Sequence, residues 1–176
     1  FLDWDRDGSD ELFFGNGAGG RLVGYKVAAD GRLAKLDELA FGQPLAGDAL
    51  GLGEDRRGLL VAVSAHDSAE PAAPSLLRFR PGEAKPEVIG LPSANHSDAG
   101  SIAVVDVDGD GDLDVFVAGR GVPGKFPQPA SSWLLRGGPG GLKLDVGQSA
   151  AFANLGMVTA AVFVHLDDDI LPELAL

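Results

Sequence analysis

Two stretches of the chain place acids on alternate positions around a glycine. The first is Asp3, Asp5, Asp7, Gly8 and Glu11; the second is Asp106, Asp108, Asp110, Gly111 and Asp114. In both, an acid holds positions 1, 3, 5 and 9, a glycine holds position 6, and an apolar run follows. Carboxylates crowded into one tight turn repel each other strongly unless a cation sits among them. Oxygen donors without cysteine or convergent histidine suit a hard ion such as calcium. A weaker third stretch holds Asp167, Asp168, Asp169 and Glu173, but puts His165 at position 1 and Ile170 at position 6. A β-branched residue resists the positive φ that glycine accepts, so this turn is expected to be distorted.

Charge is concentrated in the same places. The formal net charge is −12, and 14 of the 26 acids lie in the three turns, against only Arg6 of the 14 Lys and Arg. Local acidity of this kind reads as metal ligation and not as a solvating tail. With no basic stripe, nucleic-acid binding is not expected. No run of 18 apolar residues occurs, so no membrane span is expected. Cysteine is absent and no signal peptide is visible. The first motif starts at once, without an initiator Met, and the expectation is a fragment of a longer protein.

The elements that must position these acids repeat. The strong turns start 103 residues apart, and a degenerate copy is expected near residue 54, where Gly51 to Gly58 precedes the apolar run Leu59 to Ser64. Each unit then reads as four short strands. The first are Leu12 to Phe14, Leu59 to Ser64, Val115 to Ala118 and, at the end, Leu174 to Leu176. The second are Leu22 to Val27, Leu76 to Arg80 and Trp133 to Arg136; the third are Leu33 to Leu39, Glu87 to Leu91 and Leu142 to Val146. The fourth, leading into the next turn, are Ala49 to Leu52, Ile102 to Val105 and Val158 to Val164. Gly- and Pro-rich breaks separate them, and Asp30-Gly31 reads as a hairpin turn. A short helical turn is expected within Ser149 to Leu155. The predicted fold is all-β: β-propeller blades of four antiparallel strands, about three of them, with units of approximately 1–52, 53–105 and 106–164 and the start of a fourth at 165–176.

The motifs DWDRDGSDEL and DVDGDGDLDV resemble the FG-GAP/VCBS repeats, relatives of the integrin α-subunit propeller. Residues 118–141 look like the segment that bacterial members of the ASPIC/UnbV type place before their next repeat. The resemblance covers essentially the whole chain and is weakest at residues 48–100. It implies calcium held by Asp3, Asp5, Asp7 and Glu11 with the carbonyl of Ser9, and by Asp106, Asp108, Asp110 and Asp114 with the carbonyl of Asp112. Asp167, Asp169 and Glu173 are the weaker third set. The apolar position 2 (Trp4, Val107, Leu166) is expected to pack into the blade. The resemblance further implies a secreted, periplasmic or surface protein of a bacterium, acting as a non-catalytic scaffold that binds a protein or glycan, with further blades in the intact chain. The alternative it allows is part of a propeller-based carbohydrate-active enzyme such as a polysaccharide lyase.

Other chemistries are weaker. An EF-hand needs a bidentate acid at position 12, where Phe14 and Val117 stand. Plain turns also favour Asp and Gly, though rarely with two full matches of this spacing. Gly15, Gly17 and Gly20 spell a dinucleotide-like motif, but a strand and not a helix follows. His66-Asp67-Ser68 and His96-Ser97-Asp98 are adjacent residues without a nucleophile elbow. Asn95-His96-Ser97 is a glycosylation sequon, relevant only to a eukaryotic secretory setting. Paired carboxylates for glycoside hydrolysis remain open, but Asp48, Asp67, Glu70 and Asp98 carry no sign of that role. The long loop Gly119 to Ala130 sets Arg120, Lys125 and Phe126 on an otherwise acidic chain, and these three are the candidate partner-binding residues.

Overall fold

The computed structural model describes residues 3–15, 22–36, 48–55, 58–64, 76–83, 85–92 and 97–176. Among these the chain is all-β, with four antiparallel sheets and one short helix. The first sheet joins β1 (Glu11–Gly15), β2 (Leu22–Val27) and β3 (Leu33–Lys35) in chain order. The second joins β4 (Asp48–Asp55), β5 (Gly58–Ser64), β6 (Leu76–Phe79) and β7 (Glu87–Ile89). The third joins β8 (Asp98–Val105), β9 (Asp114–Gly121), β10 (Trp133–Arg136) and β11 (Lys143–Leu144). After α1 (Val146–Ala151), β12 (Val162–Val164) and β13 (Glu173–Ala175) form the last pair.

Every expected strand has a counterpart, but the sheets are cut differently from the repeat units. The strand Ile102 to Val105, read as the end of one unit, pairs with the strand that follows the turn, Val105 opposite Asp114. Val164 lies opposite Glu173 in the same way. The second and third acidic turns are therefore loops of hairpins inside one sheet, and those sheets are offset from the units by one strand. A repeat period gives spacing and not phase; hydrogen bonding across the turn decides the phase.

The inner strands explain the packing. Leu59 to Ser64 and Val115 to Ala118 are nearly continuous apolar runs, which fits strands covered on both faces. One face of the second sheet (Leu59, Val61, Val63, Leu77, Phe79) packs on Leu22 of the first and on Trp4 of the acidic turn that precedes it. Its other face (Leu60, Ala62, Leu76, Ile89) packs on Val115, Val117, Trp133 and Leu135 of the third. The opposite face of the third sheet, with Phe116 and Leu134, receives Phe152, Phe163 and Leu174. The sheets thus stack face to face in chain order.

Three expectations are corrected. The copy near residue 54 is a tight hairpin in which Asp55 pairs directly with Gly58, so the frame of the long acidic turn is not kept there. The helix begins at Val146, earlier than expected, because Asp145 caps it by accepting the Gln148 N–H at 3.0 Å. That cap also ends the third strand of the unit early, at Leu144. The Asp30-Gly31 turn is as expected, with Gly31 at φ 79° and its N–H donating to the Ala28 carbonyl. His66, Asp67, Ser68, Glu70, Asn95, His96 and the Gly17–Gly20 loop lie outside the described residues.

Candidate metal centre

Turns one and two fold by the same chain of local hydrogen bonds. The position-1 carboxylate turns back over the loop: Asp3 accepts from Asp7 N–H (2.9 Å) and Gly8 N–H (3.0 Å). Asp106 accepts from Gly109 (2.8 Å), Asp110 (3.2 Å) and Gly111 (2.8 Å). Positions 3 and 5 each accept the N–H two residues on. Asp5 takes Asp7 and Asp7 takes Ser9; Asp108 takes Asp110 and Asp110 takes Asp112. Short acidic side chains do this readily, which is why they dominate such turns. Position 9 then closes the turn, Glu11 accepting the Trp4 N–H at 2.7 Å and Asp114 the Val107 N–H at 3.0 Å.

Glycine at position 6 is required by conformation. Gly8 has φ 89° and Gly111 φ 91°, and a Cβ at either would meet nothing within 4 Å. The cost of a side chain there lies in the backbone and not in a clash. Position 4 is left-handed too, as Gly109 (φ 75°) and as Arg6 (φ 59°).

The third turn keeps part of this scheme. Leu166 N–H donates to Glu173 at 2.7 Å, Asp169 N–H to Asp167 at 3.0 Å, and Leu171 N–H to Asp169 at 2.7 Å. Its position-1 residue is His165, which has no carboxylate to receive the two back-turning N–H bonds. Neither Asp168 nor Ile170 takes a positive φ. The expected burial of position 2 holds for Trp4, which meets Phe13 edge-on at 5.8 Å, and partly for Val107. Leu166 is 70% exposed.

Three acidic clusters follow that could hold a metal ion. Oxygens of Asp3, Asp5 and Glu11 lie within 4.8 Å of one another, as do those of Asp106, Asp108 and Asp114, and those of Asp167, Asp169 and Glu173. The first two sets use positions 1, 3 and 9. Asp7 and Asp110 fall outside those sets and are held to the N–H groups of Ser9 and Asp112. In the third, position 5 takes the place of the missing position 1.

Buried position-9 acids are the sharpest feature. Glu11 is 1% exposed, and while its Oε2 takes the Trp4 N–H, its Oε1 is buried with no hydrogen-bond partner. A buried carboxylate oxygen without a hydrogen bond is costly, and a cation close to it offsets that cost. An oxygen-only donor set with such an orphan fits a hard cation.

Basic side chains that the sequence reading did not single out also reach these clusters. Lys26 lies opposite Glu11 on β2; its Nζ is 3.9 Å from Glu11 Oε1, 3.2 Å from Asp5, and bonded to Asp7. This ammonium lowers the Asp7 carboxyl, and Asp7 in turn raises Lys26. Arg136, at the end of β10, reaches Asp114 (3.1 Å), Asp108 (3.2 Å) and Asp145 (3.1 Å). In the second sheet Arg78 is 1% exposed and bonded to Asp55 and, at 2.9 Å, to Glu87. The available signal was a basic residue closing the second strand of each unit: Lys26, Arg80, Arg136. Partial desolvation acts to raise the Asp106 carboxyl, but the Gly111, Gly109 and Asp110 N–H groups outweigh it and hold it below its ordinary value.

The candidate partner residues divide. Arg120 and Phe126 line one groove at the far end of the third sheet, with Asp98 and Met157; Lys125 is exposed on the same loop but does not line it. No protein-family model matches the chain, and neither a curated protein nor a solved structure matches it.

Proposed function

We propose that the chain is a calcium-braced, non-catalytic scaffold of β-propeller blades, of the FG-GAP/VCBS kind, that presents a binding surface outside the cell. The observation that carries the metal reading is Glu11: a buried carboxylate with one oxygen that accepts no hydrogen bond and meets only the Lys26 ammonium at 3.9 Å, beside Asp3 and Asp5. A bound calcium ion supplies charge compensation for carboxylates that otherwise repel. The chain's own part is to preorganise them through backbone N–H groups, and to tie each turn to its sheet through position 9. A metal held by the fold and not by the unfolded chain adds its binding free energy to folding.

Support for blades comes from the stacking. The outer face of the first sheet carries Leu12, Phe14, Val23 and Tyr25, with Leu12 opposite Tyr25 and Phe14 opposite Val23. The same register in the third sheet sets Val115 opposite Leu135 and Val117 opposite Trp133, all four buried against the second sheet. The exposed face of the first sheet thus has the composition of a face that stacks on another sheet, and Phe14 and Tyr25 meet edge-on at 5.9 Å. Further blades of the intact protein are the proposed cover. The crowded acids are engaged by backbone N–H groups, which favours a structural over a catalytic role.

Thermal unfolding with calcium and with chelator tests this. At a hundredfold excess over Kd, calcium stabilises by about 2.7 kcal/mol, roughly 5–10 °C for a chain of this size. The shift should fall in Glu11→Gln and in Asp114→Asn. An unchanged midpoint in the parent chain would end the metal-brace reading.

A further inference from the structure

We infer that the groove beside Phe126 is a subsite for an acidic sugar, a hexuronate residue of a glycan, which deepens the binding-module reading above. The groove encloses about 710 Å³ at the end of the third sheet remote from the metal turn, where Asp98 of β8 pairs with Gly121 of β9. Asp98, Arg120, Pro123, Phe126, Met157 and Thr159 line it.

Phe126 is 83% exposed, a large aromatic face offered to solvent at the groove's edge. With Val122, Pro123 and Met157 it forms an apolar wall of the groove, against which an amphipathic ligand can pack. Arg120 is exposed too. Whereas Lys26, Arg78, Arg80 and Arg136 each engage carboxylates, Arg120 engages none among the described residues. On a chain of net charge −12, an uncompensated guanidinium beside an aromatic platform is matched by a carboxylate on the ligand, which it can hold through two parallel N–H bonds. The Arg120 stem lies against Gly100, where a Cβ would sit 3.2 Å from its own Cβ. Asp98, buried and bonded to the Ser64 hydroxyl, and Thr159 form the rest of the polar lining.

A pyranose has an apolar C–H face and a hydroxyl rim, the two surfaces this lining offers. Where β9 reaches the groove its β8 edge is already paired, Asp98 lying opposite Gly121. Beyond their pairing, the Gly119 N–H donates to Ser132 Oγ and its carbonyl accepts from Val158 N–H.

The test is a calorimetric titration of the full chain in saturating calcium. The probes are oligomers of galacturonate, glucuronate and mannuronate, and their neutral hexose counterparts. At least one uronate series should bind in preference to its neutral counterpart. Arg120→Gln and Phe126→Ala should each weaken it at least about tenfold, and Lys125→Ala should stay within about twofold. Calcium is the same in every sample, so metal held by the sugar itself is common to all variants. The inference is overturned if no uronate binds, if neutral oligomers bind equally well, or if Arg120→Gln binds like the parent. Melting midpoints on the same samples keep the two readings apart: an intact calcium shift without sugar binding overturns the uronate subsite alone.

Discussion

Lys26 stands directly opposite Glu11 across the β1–β2 pair, its Nζ 3.9 Å from the one Glu11 oxygen that no hydrogen bond reaches. The ammonium also touches Asp5 and Asp7, so it addresses two of the three carboxylates of the candidate metal cluster, Glu11 and Asp5. On the proposed calcium-brace reading, lysine and the ion compete for this site. Removing Lys26 as Lys26→Met should tighten calcium binding at the first turn roughly tenfold, by taking away one rival positive charge at close range. Isothermal titration reads this directly, and an unchanged or weaker affinity would show that Lys26 supports the ion instead.

Gly111→Ala should cost about 1–2 kcal/mol, because alanine must enter the left-handed region at φ 91° with no clash to relieve. Gly90→Ala, at an open position where φ is not positive, is the control and should cost little. Urea midpoints for the pair separate backbone strain from any general effect of removing glycine.

The Asp145 carboxyl is held below its ordinary value of 3.8, first by the Gln148 N–H it caps and next by the Arg136 guanidinium. A depressed folded value means that the contribution is fully present above about pH 4 and is lost as pH falls through the folded value. The acid-induced loss of stability should therefore be shallower in Asp145→Asn than in the parent between pH 4 and 2. Parallel slopes in acid melts of the two proteins would remove this linkage.

Arg78 is buried with Asp55, and Arg78→Met leaves that carboxylate uncompensated at a loss of about 3–5 kcal/mol. The double variant Arg78→Met with Asp55→Leu should recover most of the loss, since replacing both members of a buried pair is often neutral. Chemical denaturation of the four proteins forms the cycle, and additive losses would show that the two residues are not coupled.

Much of the fold was legible in the residues. Leu22 to Val27 and Trp133 to Arg136 were readable because apolar runs bounded by glycine and proline carry a local signal. The double-sided burial of Leu59 to Ser64 was implicit in its unbroken apolarity. Position 6 of the acidic turns was readable because only glycine accepts that φ cheaply. The helix start at Val146 was missed, since the capping bond from Asp145 competes locally with continuation of the strand.

The acids at positions 1, 3, 5 and 9, and the glycine among them, follow from the chain alone, because each carboxylate finds its N–H partner within a few residues. What surrounds those acids does not. Lys26 reaches Glu11 only through strand pairing, 15 residues along the chain, and Arg136 reaches Asp114 after 22. Pairing across the second and third turns set the phase of their sheets, and strand packing buried Glu11 Oε1 beside the Lys26 ammonium. The parting of Arg120 and Phe126 from Lys125 was settled by where β9 ends and its loop folds back. Local hydrogen bonds are written in short spacings; charge compensation and burial depend on which distant strands meet, and only the tertiary structure decides that.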